Sequence, residues 1–412
     1  MLVTNKERIG QSIEKFSQWD ATEGGGVTRL CFSEANLKAR KAIQDRMESL
    51  GATVTTDDMG NMYARLEGTE PDLPSLVVGS HSDSVIKGGN YDGILGVIAG
   101  MEVAETIVEN NIKHRHPLTV MVWTNEEGSR FDPALMSSGV LAGKFDKEKM
   151  LKSTDTEGIT FKEALDASGY KGSEENRLNA EDYKAFVELH IEQGPVLEAE
   201  EKDIGVVQGV AGMVNYEFEF QGQSGHAGTV PMPVRKDALR AASQAITYLH
   251  ENLSTIDPAL VYTTGRIECE PNIHTIIPDN VKFTLDARHM DSEAIEKVVE
   301  VVNAIPEELA DCKVTKHKLW GRETIYFNDT LINLVRESAK EYGYSYKDVP
   351  SGAGHDAQYV ADMIPTTMVF APSIGGHSHT EIEYTPLEDC WKAINVVLQT
   401  ILKLDELDQL EE

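Results

Sequence analysis

Apolar residues in the first half of the chain fall into short unbroken runs, each closed by polar or glycine-rich residues. "SLVVGS" (75–80), "LTVMVW" (118–123) and the apolar-rich "AFVELHI" (185–191) read as buried strands. Between the first two, "GILGVIAGMEVAETIVE" places Ile94, Val97, Ile98 and Met101 on one helical face, with Asp92 where an N-cap belongs. The alternation predicts an open α/β sheet, which gathers functional groups at the carboxyl ends of its strands.

Near residue 211 the period changes. "NYEFEFQGQ" alternates strictly, with Tyr216, Phe218 and Phe220 on one side, and "VKFTLDARH" does the same with Phe283, Leu285 and Ala287. The amphipathic helices "RKDALRAASQAITYLH" and "SEAIEKVVEVVNAI" accompany them, which predicts a separate α+β layer. Strand-and-helix texture returns with "LINLVRESAKEYG", "TTMVFAPS" and "CWKAINVVLQTILKL". The division expected is therefore a discontinuous domain, 1–210 with 326–412, carrying an insertion at 211–325. The tail "LDELDQLEE" reads as solvated or frayed helix, and no internal repeat is visible.

Composition narrows the function. The chain has 412 residues, 41% hydrophobic, and a net charge of −30. That charge argues against nucleic acid and against anionic membrane surfaces as partners. The four cysteines, Cys31, Cys269, Cys312 and Cys390, are scattered, which argues against a disulfide framework or a cysteine zinc site. The start is charged, without an apolar leader, and no run approaches a membrane span, so a cytoplasmic protein is expected.

The polar groups that follow the apolar runs are His81, Asp83, Asp92, Glu126, Glu127, His190 and Glu192, joined late in the chain by His377 and His379. Each has a bland reading alone: Asp92 as an N-cap, Glu126 and Glu127 as a solvated pair, His190 as a core histidine, His355 as structural. Together, imidazoles and carboxylates at several strand ends can bind a divalent cation, and this mixture suits zinc, manganese or cobalt. About five protein ligands suffice for two ions that share one carboxylate. Adjacent strand residues face opposite sides, so one of Glu126 and Glu127 could ligate while the other faces a water.

"GSHSDSVIKGGNYDGILGV", "TNEEGSRF", "AFVELHIEQGPVLE", "GHAGTVPMPVRKDA", "SGAGHDAQ" and "GGHSHTEIEYT" resemble the amidase family that includes N-carbamoyl-L-amino acid hydrolases, allantoate amidohydrolases and beta-ureidopropionases. The resemblance runs from "GGGVTRLCFS" (24–33) to the end of the chain. It implies a mixed-sheet α/β/α catalytic domain related to the dinuclear zinc exopeptidases, with the insertion as lid and dimerisation domain. It also implies a role for each matched position. His81 and His190 hold one metal ion, Glu127 and His379 the other, and Asp92 bridges them. Glu126 is the general base, and Asp83 fixes the His81 ring and its tautomer. His226 reaches the neighbouring subunit's site in a homodimer and stabilises the oxyanion. Arg288 pairs with the substrate carboxylate, and its bland reading is a salt bridge with Asp286. Gln193, Asn272 and the backbone of Gly352, Ala353 and Gly354 contact substrate.

The chain departs from the family pattern at "HTIIPD" (274–279), where Thr275 stands in place of a common asparagine, preceded by His274. His377 likewise replaces a small or apolar residue before the final ligand. The implied activity is hydrolysis of a linear amide. The expected substrate is an N-carbamoyl-L-amino acid, split to amino acid, carbon dioxide and ammonia. Allantoate, N-carbamoyl-beta-alanine, N-acyl amino acids and dipeptides are the alternatives. A catalytically dead binding protein would have lost Glu126 or several ligands, and all are present.

Overall fold

The computed structural model describes residues 1–410. It divides into two compact units, Met1–Gly209 together with Tyr326 onward, and Val210–Ile325.

In the larger unit, strands β1 (Thr53–Thr56), β2 (Met62–Leu66), β3 (Ser75–His81), β4 (Leu118–Trp123), β5 (Tyr183–Ile191) and β6 (Ile204–Val210) share a mixed sheet with the late strand Thr366–Ala371. The order is β1-β2-β4-β3-β5-(366–371)-β6. The four central strands β4, β3, β5 and 366–371 run parallel, while β1, β2 and β6 add antiparallel pairings outside them. β3, β4 and 366–371 are buried along their whole length, as is β5 from Ala185 on. Both faces of the sheet are therefore covered, which is why these strands read as continuous apolar runs and not as alternating ones. The register sets His81 beside Trp123 and His190 beside Phe370, so the carboxyl ends of the strands finish at one edge.

The helix after β3, α1 (Ile94–Glu109), differs from the expected one-faced helix. Leu95, Ala99, Gly100, Val103 and Ala104 are buried as well as Ile94, Val97, Ile98 and Met101. It lies between the sheet and the helices Lys6–Ser17 and Leu387–Glu406, so only its last turn, with Val108 and Glu109, is exposed. Its N-cap is Gly93, at φ 65°, and no side chain caps it. The N-cap assignment of Asp92 is thereby corrected, because the Asp92 carboxylate turns to other partners. The expectation for the tail also changes: the last helix runs to Glu406, with Leu404 and Asp405 buried. Glu411 and Glu412 lie outside the described residues.

The smaller unit is an antiparallel sheet ordered 267–270, 280–289, 212–221, 312–322, 308–309, with 261–263 also paired to 280–289. Strand Asn280–His289 buries every second residue, as its sequence alternation predicts. Phe283 stacks on Phe218 (centroids 4.8 Å apart) and on Phe220 (5.6 Å). Helices Ala238–Leu253 and Ser292–Ala304, capped by Asp237 and Asp291, add Ala241, Leu249, Val298 and Val302 to this core. Burying each large apolar side chain contributes about 1.5–3 kcal/mol. Among the described residues, no helix is long and apolar enough to cross a membrane.

Candidate metal centre

Four parallel strands deliver the cluster. β3 ends on His81, β5 on His190–Ile191, and β4 leads through Asn125, in left-handed backbone (φ 57°), to Glu126 and Glu127. The turn after strand 366–371 carries His379, again left-handed at φ 57°. Asp92, just before α1, lies among them. Its Oδ1 is 3.3 Å from His81 Nε2 and 3.2 Å from His190 Nε2, and its Oδ2 is 3.5 Å from His379 Nε2. His379 Nε2 is 3.4 Å from Glu127 Oε2, and Glu126 Oε2 is 3.5 Å from His81 Nε2. Two triads of potential ligands share Asp92: His81–Asp92–His190 and Asp92–Glu127–His379. The first is buried, whereas the His379 side chain is 52% exposed. His377 is exposed and belongs to none of the ligand groups found among the described residues.

Both buried imidazoles are oriented through Nδ1. His81 Nδ1 faces the Asp83 carbonyl at 3.0 Å and His190 Nδ1 the Ile191 carbonyl at 2.9 Å, which leaves each Nε2 turned to Asp92. The Asp83 carboxylate, expected to hold the His81 ring, stands 3.9 Å from Nδ1. It accepts instead the backbone N–H groups of Glu126 (3.4 Å) and Glu127 (3.2 Å), so it shapes the β4 turn while its carbonyl holds the ring.

The glycines of "GGNYDG" have steric reasons. A Cβ at Gly93 would collide with the His81 ring, and one at Gly89 with the Glu383 side chain. Glu383 is a participant that the sequence reading missed. Its Oε1 accepts the N–H groups of Tyr91 (3.0 Å) and Asp92 (3.1 Å), and its Oε2 accepts Ser378 Oγ–H (3.3 Å). Ser378 Oγ also lies 3.1 Å from Asp92 Oδ2, which accepts Gln193 Nε2–H at 2.7 Å. Gln193, expected against substrate, thus points at Asp92 from left-handed backbone (φ 58°). The available signal for Glu383 was its place in "HTEIEYT", two residues of chain beyond Glu381 and just after the ligand-type histidines.

The cluster concentrates negative charge in a dry setting. Burial pushes the Glu126 carboxyl well above its usual range, with Glu127, Asp356 and Asp92 adding to the rise against His81. Burial, then Asp92, lifts Glu127 to about 8 and Glu383 to about 7. Burial also opposes the Asp92 carboxylate, but the nearby imidazoles of His190, His379 and His81 outweigh it and hold Asp92 well below the ordinary range. His379, through its hydrogen bond to Asp92, rises to about 9. His81 Nε2 and Glu127 Oε1 are buried without a hydrogen-bond partner. Orphaned polar atoms at the centre of a histidine–carboxylate set, with excess anions around them, fit divalent cations.

Glu192 lies outside the cluster and accepts the N–H groups of Val196 and Leu197 (3.0 and 3.1 Å). Gly352, Ala353 and Gly354 form the loop after strand Tyr346–Ser351. His226, Asn272, Thr275 and Arg288 belong to the smaller unit. There His226 pairs with Ile276, next to Thr275, whose carbonyl accepts the Ala227 N–H at 2.9 Å. Asn272 is left-handed at φ 55°. Arg288 donates to Asp286 through Nε (2.8 Å) and Nη2 (3.2 Å), the neighbour that its bland reading named.

Residues 77–403 match the family described as Peptidase family M20/M25/M40. The chain is 34% identical over 404 residues to an N-carbamoyl-L-amino-acid amidohydrolase of Paenarthrobacter aurescens, covering 97% of this chain and 98% of that one. It is 34% identical over 403 residues to the allantoate amidohydrolase of Bacillus subtilis (strain 168), with 97% and 98% covered. Among solved structures, an amidase of the hydantoinase/carbamoylase family from Burkholderia multivorans superposes with a TM-score of 0.92 at 38% identity, over 98% of each chain.

Proposed function

We infer substrate and residue roles from one membership: the chain belongs to the peptidase family M20/M25/M40, as a hydantoinase/carbamoylase amidase, and hydrolyses carbon–nitrogen bonds in linear amides. The substrate we propose is an N-carbamoyl-L-amino acid, and the observation that carries the reading is the pair of ligand triads meeting at Asp92 with Glu126 beside them. His81 and His190 would hold one ion, Glu127 and His379 a second, and Asp92 both. Two bound divalent ions, zinc, manganese or cobalt, would polarise the scissile carbonyl and acidify a water.

The chain's own groups do the rest. Glu126, whose carboxylate points at the cluster, takes the proton from water and returns it to the leaving nitrogen. Its burial favours holding that proton between the two transfers. Asp83 fixes the turn that aims Glu126 and Glu127. Glu383 and Ser378 fix Asp92. Arg288 recognises the substrate carboxylate, with Gln193, Asn272, Thr275 and the loop Gly352–Gly354 completing the contacts. His226 of a second subunit supplies a hydrogen bond to the oxyanion, so the active unit is a homodimer. The four cysteines are free, which suits the reducing cytoplasm we propose as its compartment.

The test is a substrate panel with metal-reconstituted protein: N-carbamoyl-L-amino acids, allantoate, N-carbamoyl-beta-alanine, N-acetyl amino acids and dipeptides. Ammonia together with free amino acid, highest from N-carbamoyl-L-amino acids, is the expected result. Highest turnover on allantoate would move the assignment to the relatives of that name.

A further inference from the structure

One fully buried carboxylate in the larger unit has no place in the chemistry above. Glu188 lies on β5 two residues before His190, on the same face of the sheet, and is 0% exposed. Its Oε1 accepts the Ser80 hydroxyl at 2.7 Å, from the residue preceding His81 on β3. Its Oε2 accepts the backbone N–H of Ala357 at 3.2 Å, where the short helix Ala357–Val360 leaves the loop 352–356. A single side chain thus joins the strand bearing one ligand, the strand bearing another and the end of the loop.

The two kinds of neighbour depend on it unequally. The His81 and His190 rings are each held through Nδ1 by a backbone carbonyl, independently of Glu188. The loop is held through side chains and ring packing. The Ser138 hydroxyl bonds to Asp356 at 2.5 Å, Ser351 Oγ bonds to His355 Nε2 at 2.8 Å, and the His355 ring packs on His190 with centroids 4.5 Å apart. The bond from Ala357 to Glu188 adds a hydrogen bond between the loop's exit and the sheet to the packing of the His355 ring on His190 and Phe370.

We propose that Glu188 is a positioning residue that sets the loop 352–356 for substrate by holding the Ala357 N–H to the ligand-bearing strands. This rests on the reading that the loop contacts substrate. A glutamine can make the same hold: its oxygen accepts from Ala357 while its amide donates to the Ser80 hydroxyl, which can turn to accept. Leucine has a similar bulk and no acceptor, so it leaves the Ala357 N–H unmet.

Glu188→Leu should therefore raise KM by about tenfold or more, with kcat changed less than about threefold and metal content unaltered. Glu188→Gln should bring KM back to within about threefold of the parent. Ser80→Ala, which removes only the other bond, should leave KM near the parent value. An unchanged KM in the leucine variant, metal loss in step with activity, or a glutamine variant as impaired as leucine overturns the proposal. Should Glu188→Leu not fold, hydrogen exchange at Ala357 in the parent decides: protection matching the sheet supports the hold, and loop-like exchange overturns it. Gly352→Leu separates this proposal from the reading beneath it. A Cβ at Gly352 meets nothing within 4 Å, so the fold tolerates a side chain there that would obstruct a substrate on the loop. No KM change in that variant removes the loop from the substrate site. A raised KM there beside an unchanged Glu188→Leu removes only the role of Glu188.

Discussion

The two edges of the larger sheet both bury polar groups and treat them in opposite ways. At the amino edge the groups close on one another. Ser75 Oγ meets the Pro117 carbonyl (3.0 Å) and Thr119 Oγ1 (2.7 Å), and Asp405 accepts the N–H groups of Arg115 (2.8 Å) and His116 (2.7 Å). Lys184 reaches the carbonyls of Leu404 and Leu407 and His116 Nε2. A cavity of about 370 Å³ opens here beside Leu73, Pro74 and Pro365, but the charged groups on its wall already have protein partners, so it offers a ligand little. At the carboxyl edge the groups converge and stay partly unmet, and Asn125, Gln193 and His379 are held left-handed to aim them. Burial of polar atoms alone does not distinguish a functional edge from a structural one. What distinguishes them is whether the hydrogen bonds close without a ligand.

The largest expected effect comes from the shared carboxylate. Asp92→Ala should abolish turnover and lower bound metal from two ions per chain, by elemental analysis. Retained stoichiometry would dissolve the cluster as drawn. Glu126→Gln should cost about 10²–10⁴-fold in kcat while both ions remain bound. If metal leaves with the substitution, Glu126 and Glu127 have exchanged roles.

Moving to the other edge should reverse the pattern. Asp405→Ala strands two backbone N–H groups, at about 1–3 kcal/mol each, and should lower the melting temperature by several degrees without changing kcat/KM per folded chain. A specific-activity defect would mean that the amino edge also serves function. The smallest effect concerns pH. Burial lowers the His116 pKa below its ordinary value of 6.5, so the unfolded chain takes up the proton more readily than the folded one. The contribution of His116 to stability is thus present above pH about 6.5 and lost as pH falls below it. His116→Gln should flatten the acid side of the stability profile, and an unchanged slope would place that titration elsewhere.

How much of this was legible follows from the same contrast. The residues that meet in the cluster could be read because continuous apolar runs mark buried strands, and His81, Glu126, Glu127 and His190 lie at or just beyond their ends. Asp92 could be read as a candidate, but its cap role could not be judged, because Gly93 takes the cap through its backbone angle and leaves the carboxylate elsewhere. Glu383 escaped because it acts on backbone N–H groups almost three hundred residues away in sequence, a relation with no local pattern. Asp83 was placed near the right ring, but the choice between its carbonyl and its carboxylate depends on the turn's three-dimensional course. The alternating strands of the smaller unit were the easiest to read, since one face of each is buried and the other only partly covered, so the period of two survives in the sequence.

The sheet order carries a consequence for biosynthesis. Strand Thr366–Ala371 lies between β5 and β6, which follow each other in the chain. Until it emerges, β5 keeps an unpaired edge of apolar strand, and at about 5–20 residues per second that interval lasts of the order of ten seconds or more. The smaller unit is contiguous and can complete itself in the meantime. The larger one must wait, and the Thr4 N–H that bonds to Asn395 at 2.8 Å closes only when nearly the whole chain has been made. The folding of the larger unit should be slow by virtue of connectivity alone.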